Sequence, residues 1–200
     1  MNVFQVDLVI SGVGGQGVLT LASLMGTAAI IEGYDARVSE VHGMAQRGGS
    51  VICHVRYGVN VNSPLVMEGR ADAIIAMELS EAIKAASYLK KGGIAIVNRL
   101  EFPPPLSTIR GLKYPTVEEV AEMLQSKASQ VYLVDAQSIA EKVGSPLLAN
   151  VVMLGAAWSS GCLKLNRDSI IQSIKQHFKG GLVELNINAF EEGVKALSTK

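Results

Sequence analysis

Short apolar runs alternate along this chain with longer segments whose apolar residues recur every three or four positions. Apolar runs of four to six residues are typical of strands buried in a parallel sheet, and they predict strands at residues 6–10, 72–77, 94–97 and 131–134. The longer segments predict helices at residues 17–32, 80–89, 116–126, 147–159, 168–178 and 188–197, with a shorter helix that ends at Val143. This order predicts an α/β fold of three layers, α/β/α, with a Rossmann-like start, in a single domain over residues 1–200.

Two further strands make the predicted sheet mixed, although mostly parallel. Residues 36–41 and 51–57 have strand character, and in the second segment apolar and wetter positions alternate, which is typical of a strand near an edge. The connection between them is too short for a crossover helix, so they are either antiparallel neighbours or lie in different parts of the sheet. Residues 99–114 hold three consecutive prolines and predict an extended surface loop, and Thr116 to Glu119 form a capping-box pattern.

A glycine turn follows the first strand and opens the first helix. Gly12, Gly14 and Gly17 fit the pattern Gly-x-Gly-x-x-Gly, with Gly15 and Gln16 between them. Such a turn brings backbone N–H groups and a helix N-terminus close to an anion, as in nucleotide-binding proteins. The acidic residue that would hold a ribose is Asp35 or Glu40, and neither is well placed at the end of the second strand. Tight strand–helix or subunit packing is therefore the favoured explanation of the glycines.

A second polar loop follows the second strand and carries His42, Gln46, Arg47, Gly48 and Gly49. Because parallel strands end on the same edge of a sheet, we expect this loop and the glycine turn to open onto one crevice, the usual ligand site of an α/β fold. Arg47 can clamp a carboxylate or phosphate, or form a salt bridge across an interface. His42 is expected to cap local backbone, and an acid–base role is the less favoured alternative.

The composition of the chain argues against several classes of function. Eighteen basic and 18 acidic residues balance, and no basic tract suits a nucleic acid. A hydrophobic fraction of 48% against 18% charged residues suggests that part of the surface is covered by another subunit. The scattered Cys53 and Cys162 fit a reducing cytoplasm and a core position, and with His42, His54 and His177 they do not match a metal site. No apolar stretch is long enough to span a membrane, so we expect a soluble, cytoplasmic chain without a metal.

The two loops together resemble those of the gamma-domain family of 2-oxoacid:ferredoxin oxidoreductases. The second loop carries the resemblance, with the sequence Ser-Glu-Val-His-Gly-Met-Ala-Gln-Arg-Gly-Gly-Ser at residues 39–50. Within the family it is similar to the version in the small (beta) subunit of indolepyruvate enzymes, whereas the gamma chains of pyruvate and 2-oxoglutarate enzymes differ there. The resemblance continues through Asp135-Ala136 and residues 150–156, and so spans nearly the whole chain.

This resemblance implies a subunit of an enzyme that oxidatively decarboxylates arylpyruvates, indolepyruvate above all, to arylacetyl-CoA and reduces ferredoxin. It also implies a hetero-oligomer in which a large alpha subunit holds thiamine diphosphate and iron–sulfur clusters, so that this chain is inactive alone. Coenzyme A, as co-substrate, is a candidate ligand of the crevice. Two alternatives remain: a stand-alone nucleotide-binding protein that uses the glycine turn for NAD or FAD, and a scaffold subunit without a ligand.

Overall fold

Six strands form one sheet in the order β2-β3-β1-β4-β5-β6 in the computed structural model, which describes residues 4–42, 49–103 and 113–198. The strands are β1 (Gln5–Val13), β2 (Asp35–His42), β3 (Ser50–Gly58), β4 (Ala71–Ala76), β5 (Leu89–Asn98) and β6 (Gln130–Val134). Strand β3 is antiparallel to both of its neighbours, β1 and β2. The other three ladders, β1–β4, β4–β5 and β5–β6, are parallel. The predicted mixed, mostly parallel sheet is confirmed, and β2 and β3 are antiparallel neighbours.

Seven α-helices cover the two faces of the sheet within the described residues. They are α1 (Val18–Ile31), α2 (Leu79–Ala85), α3 (Val117–Gln125), α4 (Ala136–Val143), α5 (Ala149–Ser159), α6 (Arg167–His177) and α7 (Gly181–Ser198), with a 3-10 turn at Pro146–Leu148. Leu8 and Ile10 of β1 face a core formed with α1, α5, α6 and α7, whereas Val9 faces α2 and α3. The fold therefore has the three predicted layers, because each side of the sheet buries its own set of apolar residues.

Some predicted boundaries were wrong. Helix α2 ends at Ala85, and Leu89 already begins β5, where it is fully buried. Gly92 and Gly93, which precede the predicted strand at 94–97, lie inside β5, next to a register shift in the β4–β5 ladder. Helix α7 begins at Gly181 and not at 188, so the prediction missed its first two turns, in which the apolar residues are interleaved with Glu184, Asn186 and Asn188.

Other local predictions are confirmed. Thr116 caps α3, its hydroxyl accepts from the Glu119 N–H, and Glu119 in turn accepts from the Thr116 N–H. Both cysteines are free thiols buried in the core, and burial raises the pKa of each, Cys53 and Cys162, to about 12. Of the predicted loop at 99–114, the described residues 99–103 and 113–114 form neither helix nor strand.

His54 on β3 is buried, and we expect it to make the stability of the fold depend on pH. Its Nδ1 accepts from the Val66 N–H at 3.3 Å, and its ring meets the edge of Tyr88. Burial and the nearby Arg56 lower the pKa of His54. The unfolded chain therefore binds more protons than the folded chain below the ordinary histidine pKa of about 6.5, so stability falls as the pH falls through that range, with a slope below about 1.4 kcal/mol per pH unit.

The variant His54→Asn keeps an acceptor for Val66 and removes the titration, so urea unfolding at several pH values between about 5 and 7 should show a shallower slope than the wild type. Gln176→Asn, which changes an exposed side chain without an ionisable group on α6, is the control and should keep the wild-type slope. Equal slopes for wild type and His54→Asn would contradict this role of His54.

Candidate functional site

The glycine turn and the end of the second loop are in direct contact at the same edge of the sheet. Val13 at the end of β1 pairs with Ser50 at the start of β3, and the Gly14 N–H donates to the Gly49 carbonyl at 2.9 Å. Strands β1 and β2 run in the same direction but are not neighbours, because β3 lies between them. His42 is the last residue of β2, whereas Gln46, Arg47 and Gly48 lie outside the described residues.

Hydrogen bonds within the chain determine the shape of the glycine turn. The Gln16 side chain accepts from the Val13 N–H at 2.8 Å, so this amide closes the turn on itself. Gly15 and Gly17 have φ of +105° and +74°, a backbone conformation that favours glycine. The Asn150 side chain at the start of α5 donates to the Gly17 carbonyl at 3.2 Å, and a Cβ atom at Gly17 would lie 2.3 Å from that amide nitrogen. The turn is thereby attached to α5.

A cavity of about 520 Å³ opens on the side of the turn that faces α5. It lies beyond the carboxyl ends of β1, β4 and β5, where open α/β sheets place their ligands. Its walls are the glycine turn, the residues that follow β4 and β5, and the first turns of α4, α5 and α7. The lining residues are Gly15, Gln16, Gly17, Thr20, Met77, Asn98, Leu100, Gln137, Ser145, Pro146, Leu147, Leu148, Ala149, Asn150, Phe178, Leu182, Leu185 and Asn186. None of these described residues is ionisable.

Three buried asparagines that the sequence analysis missed hold the walls of this cavity. Asn98 donates to the Met77 carbonyl and accepts from the Ala136 N–H, both at 3.1 Å, and so ties the ends of β4 and β5 to α4. Asn150 holds the glycine turn, and Asn186 donates to the Leu182 carbonyl at 2.8 Å. Asn98 could have been recognised in the sequence by its position directly after a predicted strand, because a buried amide at that place requires hydrogen-bond partners.

A second cavity of about 400 Å³ lies on the other side of the turn, towards the second loop. Glu40 lines it together with Gly14, Gly15 and Val51. Of the two acidic residues considered for a ribose, Asp35 lies at the opposite end of β2, where it accepts from the Asn60 N–H. Only Glu40 of that pair is therefore near the turn.

Glu78 and Glu81 at the start of α2 are buried. Their carboxylates bind one residue directly after the second loop and one residue at the end of the loop over 99–114. The Glu81 carboxylate accepts from the Ser50 hydroxyl and the Lys84 ammonium group, directly after the second loop. Glu78 accepts from the N–H groups of Ser80 and Glu81 and from the Tyr114 hydroxyl, at the end of the loop over 99–114. Burial, together with the hydrogen bond to Glu78, raises the pKa of Tyr114. Helix α2 therefore anchors the ends of the second loop and of the loop over 99–114 at the sheet edge where the two cavities lie.

The family model for pyruvate ferredoxin/flavodoxin oxidoreductase matches residues 7–196, and the chain belongs to this family.

Among known proteins, the chain is similar to the indolepyruvate oxidoreductase subunit IorB of Pyrococcus horikoshii and of Thermococcus kodakarensis. It is 40% identical to each over 191 residues, which cover 95% of this chain and 95% of each relative. A crystal structure of the gamma subunit of a keto/oxoacid ferredoxin oxidoreductase from Geobacter sulfurreducens has a similar fold. That match has a TM-score of 0.70 and 26% identity, and it covers 97% of this chain and 99% of the other.

Within the ranges that the structure describes, no helix is both long and apolar enough to cross a membrane. In those same ranges, histidine, cysteine and carboxylate side chains do not form a group of three or more that could hold a metal ion.

Proposed function

We propose that this chain is the small subunit of an indolepyruvate:ferredoxin oxidoreductase. Such an enzyme oxidatively decarboxylates arylpyruvates, transfers the acyl group to coenzyme A and passes the electrons to ferredoxin. The observation that carries this proposal is the 40% identity to the IorB subunits over 95% of both chains. The second loop, with its indolepyruvate-type sequence at residues 39–50, supports the same assignment.

The proposed partner is a large alpha subunit that holds thiamine diphosphate and the iron–sulfur clusters. This division of labour agrees with the chemistry of the chain, because a cluster needs about four thiolates. The chain has two cysteines, and both are buried in its core. We therefore expect the isolated chain to be inactive and to acquire its role in a hetero-oligomer.

The proposed contact or ligand edge consists of the glycine turn and the second loop. Gly12, Gly14, Gly15, Gln16 and Gly17 form the first part, and the N-terminus of α1, where Gly17 is the N-cap without a side-chain cap, is available to an anion. His42, Gln46, Arg47, Gly48 and Gly49 form the second part, and Arg47 supplies the cation. The hydrogen bond from Gly14 to Gly49 supports a joint role, since it joins the two parts.

Co-purification from native extract tests the proposed function directly. A tagged copy of the chain should bring down a large, brown, cysteine-rich protein that contains thiamine diphosphate. The complex should oxidise indolepyruvate in the presence of coenzyme A and ferredoxin. A chain that is recovered alone with tightly bound NAD or FAD would instead support the stand-alone nucleotide-binding alternative.

Replacing Arg47 with alanine should weaken either the use of coenzyme A or the assembly of the complex. Loss of a charge-assisted hydrogen bond predicts a change of about tenfold in the KM for coenzyme A or in the dissociation constant of the complex. Steady-state kinetics and a titration of the two subunits measure these quantities. Arg37→Ala on the exposed side of β2 is the matched control and should change neither. If Arg47→Ala also leaves both unchanged, Arg47 is not the anion-binding residue.

A further inference from the structure

Glu81 in the first turn of α2 is bonded to the residues that flank the glycine turn and the second loop. Its main-chain carbonyl accepts from the Ser11 hydroxyl at 3.0 Å, and Ser11 directly precedes Gly12 at the start of the glycine turn. Its carboxylate accepts from the Ser50 hydroxyl, and Ser50 directly follows Gly49 at the end of the second loop. One residue of α2 therefore joins the two parts of the proposed contact or ligand edge.

The surroundings of Glu81 make its bond to Ser50 strong. The Glu81 side chain is only 2% exposed, and its counter-charge is the ammonium group of Lys84, whose side chain is 53% exposed. A hydrogen bond to an ionised oxygen is about twice as strong as one between neutral groups. A buried ion pair is costly, however, and apolar side chains of similar size often serve stability equally well. Stability alone therefore does not explain a carboxylate at this place, whereas a fixed position of Ser50 does.

The direct contact between the two parts lies at the end of a strand ladder. Val13 and Ser50 form the last pair between β1 and β3, and beyond it the Gly14 N–H donates to the Gly49 carbonyl at 2.9 Å. The ends of a ladder open readily, because few neighbouring contacts hold them. The bond from Ser50 to Glu81 attaches the last pair to α2 and so limits this opening.

Glu81 is itself held by the start of α2. Its N–H donates to the Glu78 carboxylate at 2.6 Å, and Glu78 is completely buried. The Glu78 carboxylate also accepts from the Tyr114 hydroxyl, which in turn accepts from the Phe102 N–H at 3.2 Å. Glu81 is thus a fixed point inside the fold, and the strand ends that bind it are fixed with it.

We propose that Glu81 is a positioning residue that fixes the glycine turn and the second loop relative to one another, with Ser11 and Ser50 as its two attachments. The fixed position rests on the hydrogen bonds of the chain, whereas its consequence for coenzyme A or for the partner rests on the proposed function. Arg47 stands three residues before Ser50, so the attachment of Ser50 restricts the region that the Arg47 side chain can reach. Glu81 acts through the second loop and not by contact with a ligand.

Hydrogen exchange of the Gly14 amide in the isolated full chain tests this position, because that N–H donates to Gly49. Ser50→Ala removes one hydroxyl, and the Gly14 amide should then exchange at least about fivefold faster than in the wild type. Ser50→Thr keeps the hydroxyl and suits a strand, so it should keep the wild-type rate. Ser173→Ala is the matched control, since it removes a buried hydroxyl that donates to the Ile170 carbonyl in α6, and it should also keep the wild-type rate.

In the reconstituted complex, Ser50→Ala should raise the same constant that Arg47→Ala raises, either the KM for coenzyme A or the dissociation constant of the complex. The expected rise is about fivefold. The kcat at saturating coenzyme A should stay at the wild-type value, because a displaced loop weakens binding and not the chemical step. Ser50→Thr should restore the wild-type constant, and Ser173→Ala should not change it.

Glu81→Gln removes the charge at nearly the same size and should also accelerate exchange of the Gly14 amide. If this buried substitution prevents folding, Ser11→Ala and Ser50→Ala decide the question, since each removes one attachment. Unchanged exchange in both serine variants, or equal effects of Ser50→Ala and Ser173→Ala, would overturn the proposal. A chain that captures no partner refutes only the proposed function, because the Gly14 amide still reports on Glu81. An active complex with equal constants in wild type and Ser50→Ala refutes only the positioning role of Glu81.

Discussion

Replacing Gly193 with alanine is expected to lower the free energy of unfolding by about 3 kcal/mol, the upper end of the usual cost of overpacking. Helices α5 and α7 cross so closely that a Cβ atom at Gly193 would lie 2.0 Å from the Val152 carbonyl oxygen. Likewise, a Cβ atom at Gly155 on α5 would lie 2.0 Å from the Phe190 carbonyl oxygen. Because both obstacles are backbone atoms, the helices must separate to accommodate a methyl group, and the core beneath them loses contacts.

Urea unfolding of the isolated chain measures this effect. Gly181→Ala at the start of α7 is the matched control, because a Cβ atom there meets nothing within 4 Å. Its free energy of unfolding should stay within about 0.5 kcal/mol of the wild type. Similar stabilities for Gly193→Ala and Gly181→Ala would show that the crossing tolerates a side chain and that the close approach of the helices is not required.

Replacing Gly12 with alanine should destabilise the chain by about 2 kcal/mol and weaken assembly with the large partner. A Cβ atom at this position would lie 2.7 Å from Val18 Cγ2, 2.8 Å from Gln16 Oε1 and 2.9 Å from Met77 Cβ. The methyl group would therefore displace the side chain that closes the turn and separate the end of β1 from the start of α1. Urea unfolding and co-purification measure the two consequences.

Gly15→Ala changes the same motif for a different physical reason. Its φ of +105° strains a residue with a side chain, at a cost of about 1 kcal/mol, but a Cβ atom there meets nothing within 4 Å. We expect Gly15→Ala to retain assembly that Gly12→Ala loses. Equal losses in the two variants would contradict the packing role of Gly12 and would indicate that the turn serves a ligand through all of its glycines.

These distances bear on the two interpretations of the glycine pattern. Gly12 lies against Met77 and Val18, and Gly17 lies against Asn150, so close packing explains two of the three motif glycines. Gly14 contributes its N–H to the contact with Gly49. The favoured sequence interpretation, tight packing of strand and helix, therefore has a structural basis. An anion at the turn remains part of the proposed function.

Local patterns in the sequence determined the class of fold, the approximate positions of most elements and the capping of α3 by Thr116. Apolar periodicity and capping depend on residues within a few positions of one another, so one sequence is sufficient to predict them. The short connection between β2 and β3 likewise restricted their pairing to two possibilities. The identity of the two loops, and with it the family, was also accessible from the sequence.

Only the tertiary structure decided which side chains surround the site. Asn150 reaches Gly17 across 133 positions and Glu81 reaches Ser50 across 31, and no local pattern predicts such contacts. The same holds for the insertion of β3 between β1 and β2, which separates the strands that precede the two loops. Whether a cavity contains a charge depends on which distant segments meet at the sheet edge. The glycine turn therefore had a recognisable sequence, but the uncharged wall beside it became evident only when α4, α5 and α7 were placed around it.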